Sequence, residues 1–179
     1  SGAGSNAENI INYFKNSAVI SVTQVLSNRK DAKVLEKAER LKVSNISFNR
    51  NDFYETDKVL KILKENADYI ILAGFLWKLP EVIINTFPNK IINIHPALLP
   101  KYGGKGMYGS IIHNKVIENN EKETGITIHY VSEQYDSGQI IFQRKISVGD
   151  NDTAKTIEEK VHKLEHEYYP KIIESILKK

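Results

Sequence analysis

Asn93, His95 and Asp136 are the residues whose types and spacing suggest chemistry. Asn93 and His95 stand two apart in the apolar run "KIINIH" (residues 90–95). In a strand their side chains leave the same face, and Pro96 stops the strand at its carboxyl end. An amide donor beside an imidazole suits a reaction in which a carbonyl passes through a tetrahedral state. The amide steadies the oxyanion while the imidazole moves a proton. The structural alternative is an Asn and a His that only satisfy backbone groups of the Pro-rich turn. Asp136 lies in "DSG", ordinary turn chemistry between two strands. Its functional reading requires it to approach His95, where a carboxylate would favour the imidazolium and tune the ring for proton transfer.

These residues need elements to hold them, and the pattern alternates helix and strand. Residues 7–15 read as a helix capped by Asn6, with Ile10, Ile11 and Phe14 on one side. Strands are expected at 19–26, 43–48, 68–74 and 90–95, and helices at 32–41, 52–65, from Pro80, and at 110–118. Two strands without an intervening helix follow, "TGITIHYV" and "QIIFQRKI". A long amphipathic helix capped by Asp152 or Thr153 closes the chain. Alternation implies an α/β fold with an open, mostly parallel twisted sheet and helices on both faces, and a single domain. Ligands in such sheets sit outside the carboxyl ends of strands, which selects the loops 74–79, 93–100 and 132–138.

Composition narrows the classes. The 179 residues are 41% apolar and 26% charged, with net charge +3, five His and no Cys. Disulfides, thiolate nucleophiles and Cys-ligated zinc are therefore excluded. No apolar run reaches the roughly 18 residues of a membrane span, and no secretory signal is read at the start, so a cytoplasmic setting is expected. Lys residues are scattered rather than clustered with aromatics, so nucleic acid is a poor partner and an anionic small molecule a better one. "SGAGSN" at the start reads either as a flexible linker or as a phosphate loop running into a helix.

"NIHPALLPKYGG", "GITIHYVSEQYDSG" and "LEHEYYP", together with "SGAGSN" followed by "AENII", resemble the phosphoribosylglycinamide formyltransferases (GAR transformylases) of the folate-dependent formyltransferase family over practically the whole chain. The resemblance implies a Rossmann-like fold and transfer of a formyl group from 10-formyltetrahydrofolate to the amine of glycinamide ribonucleotide in purine synthesis, with no metal. It implies His95 as proton donor and acceptor, Asn93 as the group holding the formyl oxygen, and Asp136 as the carboxylate that tunes His95. Gly4, Ser5 and Asn6 match the loop that receives the ribonucleotide phosphate, and Glu165 matches a residue that contacts the same substrate. Leu76, Trp77, Lys78 and Leu79 match the segment that receives the folate pteridine through its backbone, Asn93 completing that site. Trp77 is expected to pack rather than stack on ligand. His129 is expected as a core or supporting histidine, and His113, His162 and His166 as structural or surface residues.

Two departures accompany the resemblance. "GGKGMYG" (residues 103–109) replaces a Pro-Gly pair and a His-containing loop, and its four glycines suggest a mobile flap. The family also begins with an apolar central strand ahead of the Gly loop, whereas this sequence starts inside the loop; either further residues precede Ser1, the favoured expectation, or the neighbouring strands close the gap. Arg50 and Asn51 align ambiguously with a folate-contacting basic position. Methionyl-tRNA formyltransferase, formyltetrahydrofolate hydrolase and a catalytically silent folate- or nucleotide-binding module are the alternatives, and either a monomer or a homodimer is compatible.

Overall fold

A computed structural model describes residues 3–178. Ser1 and Gly2, the first residues of the stretch read as a phosphate loop, lie outside the described residues. Helices alternate with strands, and the chain groups into two compact units, one of the residues up to Ile91 with those from Glu174 on, the other of Ile92–Ile173.

The first unit opens with α1 (Ser5–Phe14), which buries Ile10, Ile11 and Phe14 as their spacing predicts. Its cap corrects the sequence reading. Gly4, not Asn6, is the N-cap, with φ 71, and Asn6 falls inside the first turn. The Gly4 carbonyl accepts the Glu8 N–H at 2.9 Å, closing that turn two residues earlier than expected. Two constraints require glycine at position 4. Its φ lies in the left-handed region, and a β-carbon there would stand 2.6 Å from the Val34 β-carbon on α2 (Lys33–Arg40). Gly4→Ala is expected to cost about 2 kcal/mol, read as a lower denaturant midpoint with an unchanged slope.

β1 (Gln24–Ser27) and β2 (Ser44–Ser47) pair in parallel across α2, from Gln24 opposite Ser44 to Ser27 opposite Ser47. The ladder is shorter than the apolar runs that predicted it. Residues ahead of β1 are tied elsewhere: the Ile20 N–H donates to the Ser17 hydroxyl at 3.1 Å, and the Thr23 hydroxyl donates to the Asn66 carbonyl at 2.7 Å. Ile11, Val25, Val34 and Ala38 share a core.

The helix expected over 52–65 is two, α3 (Arg50–Tyr54) and α4 (Lys58–Asn66). Asn49 and Asp52 form a reciprocal capping box that starts α3 early, at 2.9 and 3.2 Å. The Thr56 hydroxyl then donates to the Asp52 carbonyl at 3.2 Å, a local bond that competes with continued helix. β3 (Ile70–Leu72) and α5 (Glu81–Thr86), entered from Pro80, complete the unit.

The second unit holds β4 (Ile91–His95) from Ile92 on, β5 (Glu123–Tyr130), β6 (Ile140–Ser147), α6 (Gly109–Glu118) and α7 (Ala154–Leu177) as far as Ile173. β5 is antiparallel to both β4 and β6. The direct β5–β6 connection allows this, since only parallel neighbours need a crossover. Ile92, Ile126, Ile128, Ile157 and Val161 are fully buried here.

Of the two caps expected for α7, Thr153 is the cap and Asp152 braces it. The Thr156 N–H donates to the Thr153 hydroxyl at 3.2 Å, and the Thr153 N–H to the Thr156 hydroxyl at 2.9 Å. Asp152 accepts from Lys160, from the Gly149 N–H at 2.7 Å and from the Thr156 hydroxyl at 2.8 Å. The Lys160 ammonium, then the Gly149 amide, hold its pKa down from 3.8 to about 2. A depressed folded-state pKa stabilises above the unfolded value and is lost as pH falls through the folded one. The Tm difference between the parent and Asp152→Asn should therefore be full above pH 3.8 and vanish towards pH 2.

Candidate active site

Antiparallel pairing of β4 with β5 assembles the centre of the second unit. Its register sets Asn93 opposite His129 and His95 opposite Thr127, so four polar side chains share one face of otherwise apolar strands. A bulge in the β5–β6 pairing falls between Ile128 and His129 and locally re-aims the strand beside the site.

His95 is 4% exposed. Its Nε2 lies 2.8 Å from the Tyr102 carbonyl oxygen, which can only accept, so Nε2 carries a hydrogen. Its Nδ1 faces Asp136 Oδ2 at 3.6 Å. Asp136 stands in the left-handed region, with φ 53, in the loop between β5 and β6. Its Oδ2 also accepts the Gly104 N–H at 2.9 Å, and its Oδ1 lies 3.7 Å from His129 Nε2. Both nitrogens of His95 thus face oxygen acceptors, and the Asp136 carboxylate sits between two imidazoles.

His129 is 2% exposed. Its Nδ1 donates to the Tyr130 carbonyl at 2.8 Å, so in the neutral ring Nε2 offers a lone pair to the Asn93 amide at 3.2 Å. Burial pushes its pKa below the ordinary histidine value, outweighing the upward pulls of the Tyr130 carbonyl and Asp136. A neutral His129 fixes which way the Asn93 amide points, leaving the second amide hydrogen for another acceptor.

The turn after β4 is held from β5 and β6. The Thr127 hydroxyl donates to the Ala97 carbonyl at 2.6 Å and accepts the Leu99 N–H at 3.0 Å. Gln143 Nε2 donates to the Leu99 carbonyl at 3.0 Å and to the Thr127 hydroxyl at 2.9 Å. Sequence reasoning missed Thr127, Gln143 and Tyr102. Thr127 and His129 carry a signal that was available: polar residues two apart inside an apolar strand, the same pattern that singled out Asn93 and His95.

Glu165, read as a substrate contact, is a buried carboxylate on α7. His113 is also buried, and its Nδ1 has no hydrogen-bond partner; burial lowers its pKa. His162 and His166 stack along α7, with ring centroids 6.2 Å apart. The Gly-rich segment read as a flap is joined to the site by the Gly104 bond to Asp136, and Met107 packs against the cluster of Ala97, Ile112 and Val116. No group of three or more His, Cys, Asp or Glu among the described residues could hold a metal ion.

The other sequence-selected residues lie in the first unit. Gly4, Ser5 and Asn6 form the start of α1, where first-turn N–H groups lack intrahelical acceptors and the helix dipole favours an anion. Leu76, Trp77, Lys78 and Leu79 follow β3. Trp77 packs among Phe48, Phe53, Tyr54 and Phe75 at centroid distances of 5.9 to 6.3 Å, so its role as a packing residue holds. The Tyr54 hydroxyl donates to the Lys78 carbonyl at 2.8 Å and fixes that loop's backbone. Arg50 lies over the Tyr54 and Trp77 rings at 5.1 and 5.5 Å. Among the described residues no helix is long and apolar enough to cross a membrane.

An imidazole and an amide on adjacent positions of one strand face, with a carboxylate brought in from a neighbouring loop, define a site for group transfer at a carbonyl. Residues 1–173 match the formyl transferase family, and the chain belongs to it. Among its relatives is the phosphoribosylglycinamide formyltransferase of Bacillus subtilis (strain 168), 34% identical over 99% of this chain and 91% of that protein. The chloroplastic phosphoribosylglycinamide formyltransferase of Arabidopsis thaliana is 34% identical over 98% of this chain, which spans 63% of that relative's length. The crystal structure of phosphoribosylglycinamide formyltransferase from Bacillus halodurans superposes with a TM-score of 0.88 at 32% identity, covering 100% of this chain and 93% of that one. This likeness bears out the Rossmann-like α/β fold.

Proposed function

We propose that this chain transfers the formyl group of 10-formyltetrahydrofolate to the primary amine of glycinamide ribonucleotide, in the cytoplasm. The observation that carries the reading is the convergence of Asn93, His95 and Asp136 within the second unit. The family and the names of its relatives support the substrate pair. The residues fit a folate and a phosphorylated amine: α1 begins with N–H donors at Gly4, Ser5 and Asn6, and the backbone of Leu76–Leu79 offers peptide groups to a pteridine.

The folate supplies an electrophilic formyl carbon. The amine nitrogen bonds to it, the bond from that carbon to the folate N10 breaks, one proton leaves the amine and one reaches N10. Asn93, oriented by His129, donates its second amide hydrogen to the oxygen that gains charge. His95 moves the proton, and Asp136 accepts from its Nδ1 and stabilises the imidazolium. Glu165, buried on α7, is the residue that matches a contact for the same ribonucleotide.

The test mixes the purified protein with glycinamide ribonucleotide and a 10-formyl folate and follows the folate absorbance. Turnover that needs both substrates supports the reading, and its absence at high enzyme concentration overturns it. Binding of both ligands without turnover would identify a silent binding module.

A further inference from the structure

We propose that Tyr102 is a positioning residue for His95 and that its phenol, anchored on Asn119 and Glu121, fixes the carbonyl that holds the imidazole. The Tyr102 carbonyl accepts the His95 Nε2 hydrogen at 2.8 Å, so the orientation of this one peptide group decides how the ring is held and leaves Nδ1 towards Asp136. Tyr102 has φ 55, in the left-handed region that disfavours residues with a β-carbon. Something outside the backbone must keep it there.

The side chain shows what does. The phenol donates to Glu121 Oε1 at 2.9 Å and accepts from Asn119 Nδ2 at 2.8 Å. Lys101 Nζ reaches both Glu121 oxygens at 3.0 Å and completes the anchor. The ring packs against the cluster of Ala97, Ile112 and Val116. Asn119 is the C-cap of α6, so the anchor ties the loop carrying the Tyr102 carbonyl to the end of a helix. Two residues further on, the Gly104 N–H holds Asp136 Oδ2 at 2.9 Å. A single segment therefore presents one backbone group to the imidazole and another to the carboxylate, and Tyr102 sets its pose. Misplacement of a reacting group by about 1 Å is enough for large losses in rate, so an anchor outside the site can control kcat.

The kinetic arm of the test rests on the formyl-transfer reading, and the spectroscopic arm does not. In parent protein with 15N-labelled histidine, long-range proton–nitrogen spectra should show His95 hydrogen-bonded at Nε2 in slow exchange. Tyr102→Phe should exchange that hydrogen faster and mix the ring's tautomers, and should lower kcat about tenfold while KM stays within about twofold. Glu121→Ala, which leaves the ring in place, should reproduce both changes, and Glu121→Gln, which keeps an oxygen for the phenol, should restore parent behaviour. If the Phe variant does not fold, the two Glu121 variants decide. Parent-like His95 signals in Tyr102→Phe or Glu121→Ala overturn the proposal, whatever happens to the rate. A parent without turnover overturns the formyl-transfer reading and leaves the spectroscopic arm to decide this one.

Discussion

The His95→Ala protein should turn over about 10²- to 10⁴-fold more slowly than the parent, with KM for both substrates little changed. His95 is held between the Tyr102 carbonyl and the Asp136 carboxylate, with an acceptor facing each ring nitrogen. His129 is the other imidazole facing Asp136, at 3.7 Å, but its Nδ1 hydrogen is committed to the Tyr130 carbonyl and burial disfavours its charged form. The substitution leaves the strand intact, because His95 pairs with Thr127 through the β4–β5 ladder and the following turn is held by Thr127 and Gln143. The rate loss should therefore come without loss of fold, checked by steady-state kinetics beside a thermal melt. A raised KM with unchanged kcat would make His95 a binding group instead.

Gly138→Ala should act on both fold and activity. A β-carbon at Gly138 would overlap the Tyr130 carbonyl oxygen and stand 2.7 Å from its carbon, and both atoms are backbone. Neither atom can move aside alone, because Tyr130 also donates its N–H to the Gln139 carbonyl at 2.9 Å, where the two strands meet. The strands must separate locally at a cost of about 3 kcal/mol, which lowers Tm by about 6 to 12 °C in a domain of this size. Asp136 lies two residues earlier, and a displaced loop takes its carboxylate away from both imidazoles. Stability and kcat should fall together in melts and kinetics. A parent-like Tm would show that the loop absorbs the methyl group elsewhere.

Legibility differed by element. The α1 apolar face and the start of α5 at Pro80 followed local rules, because side-chain spacing and the backbone limits of proline are written in the sequence. The division of residues 50–66 into two helices did not, since Thr56 and the Asn49–Asp52 pair are polar residues whose competing bonds leave no periodic mark. Part of the need for glycine at position 4 came from Val34, thirty positions away, because a β-carbon there would stand 2.6 Å from the valine β-carbon.

For the site, the sequence alone determined that Asn93 and His95 share a strand face, because strand side chains alternate with period two, and that Asp136 sits in a turn with the backbone freedom to aim a carboxylate. Only the tertiary structure decided what surrounds them. The pairing of Asn93 with His129, the placement of Asp136 between two rings, and the Tyr102 carbonyl on His95 are contacts between residues 7 to 41 positions apart. They are set by the β4–β5 register, a bulge and a helix-end anchor, and such pairings depend on which distant strands and loops meet, which local periodicity does not specify.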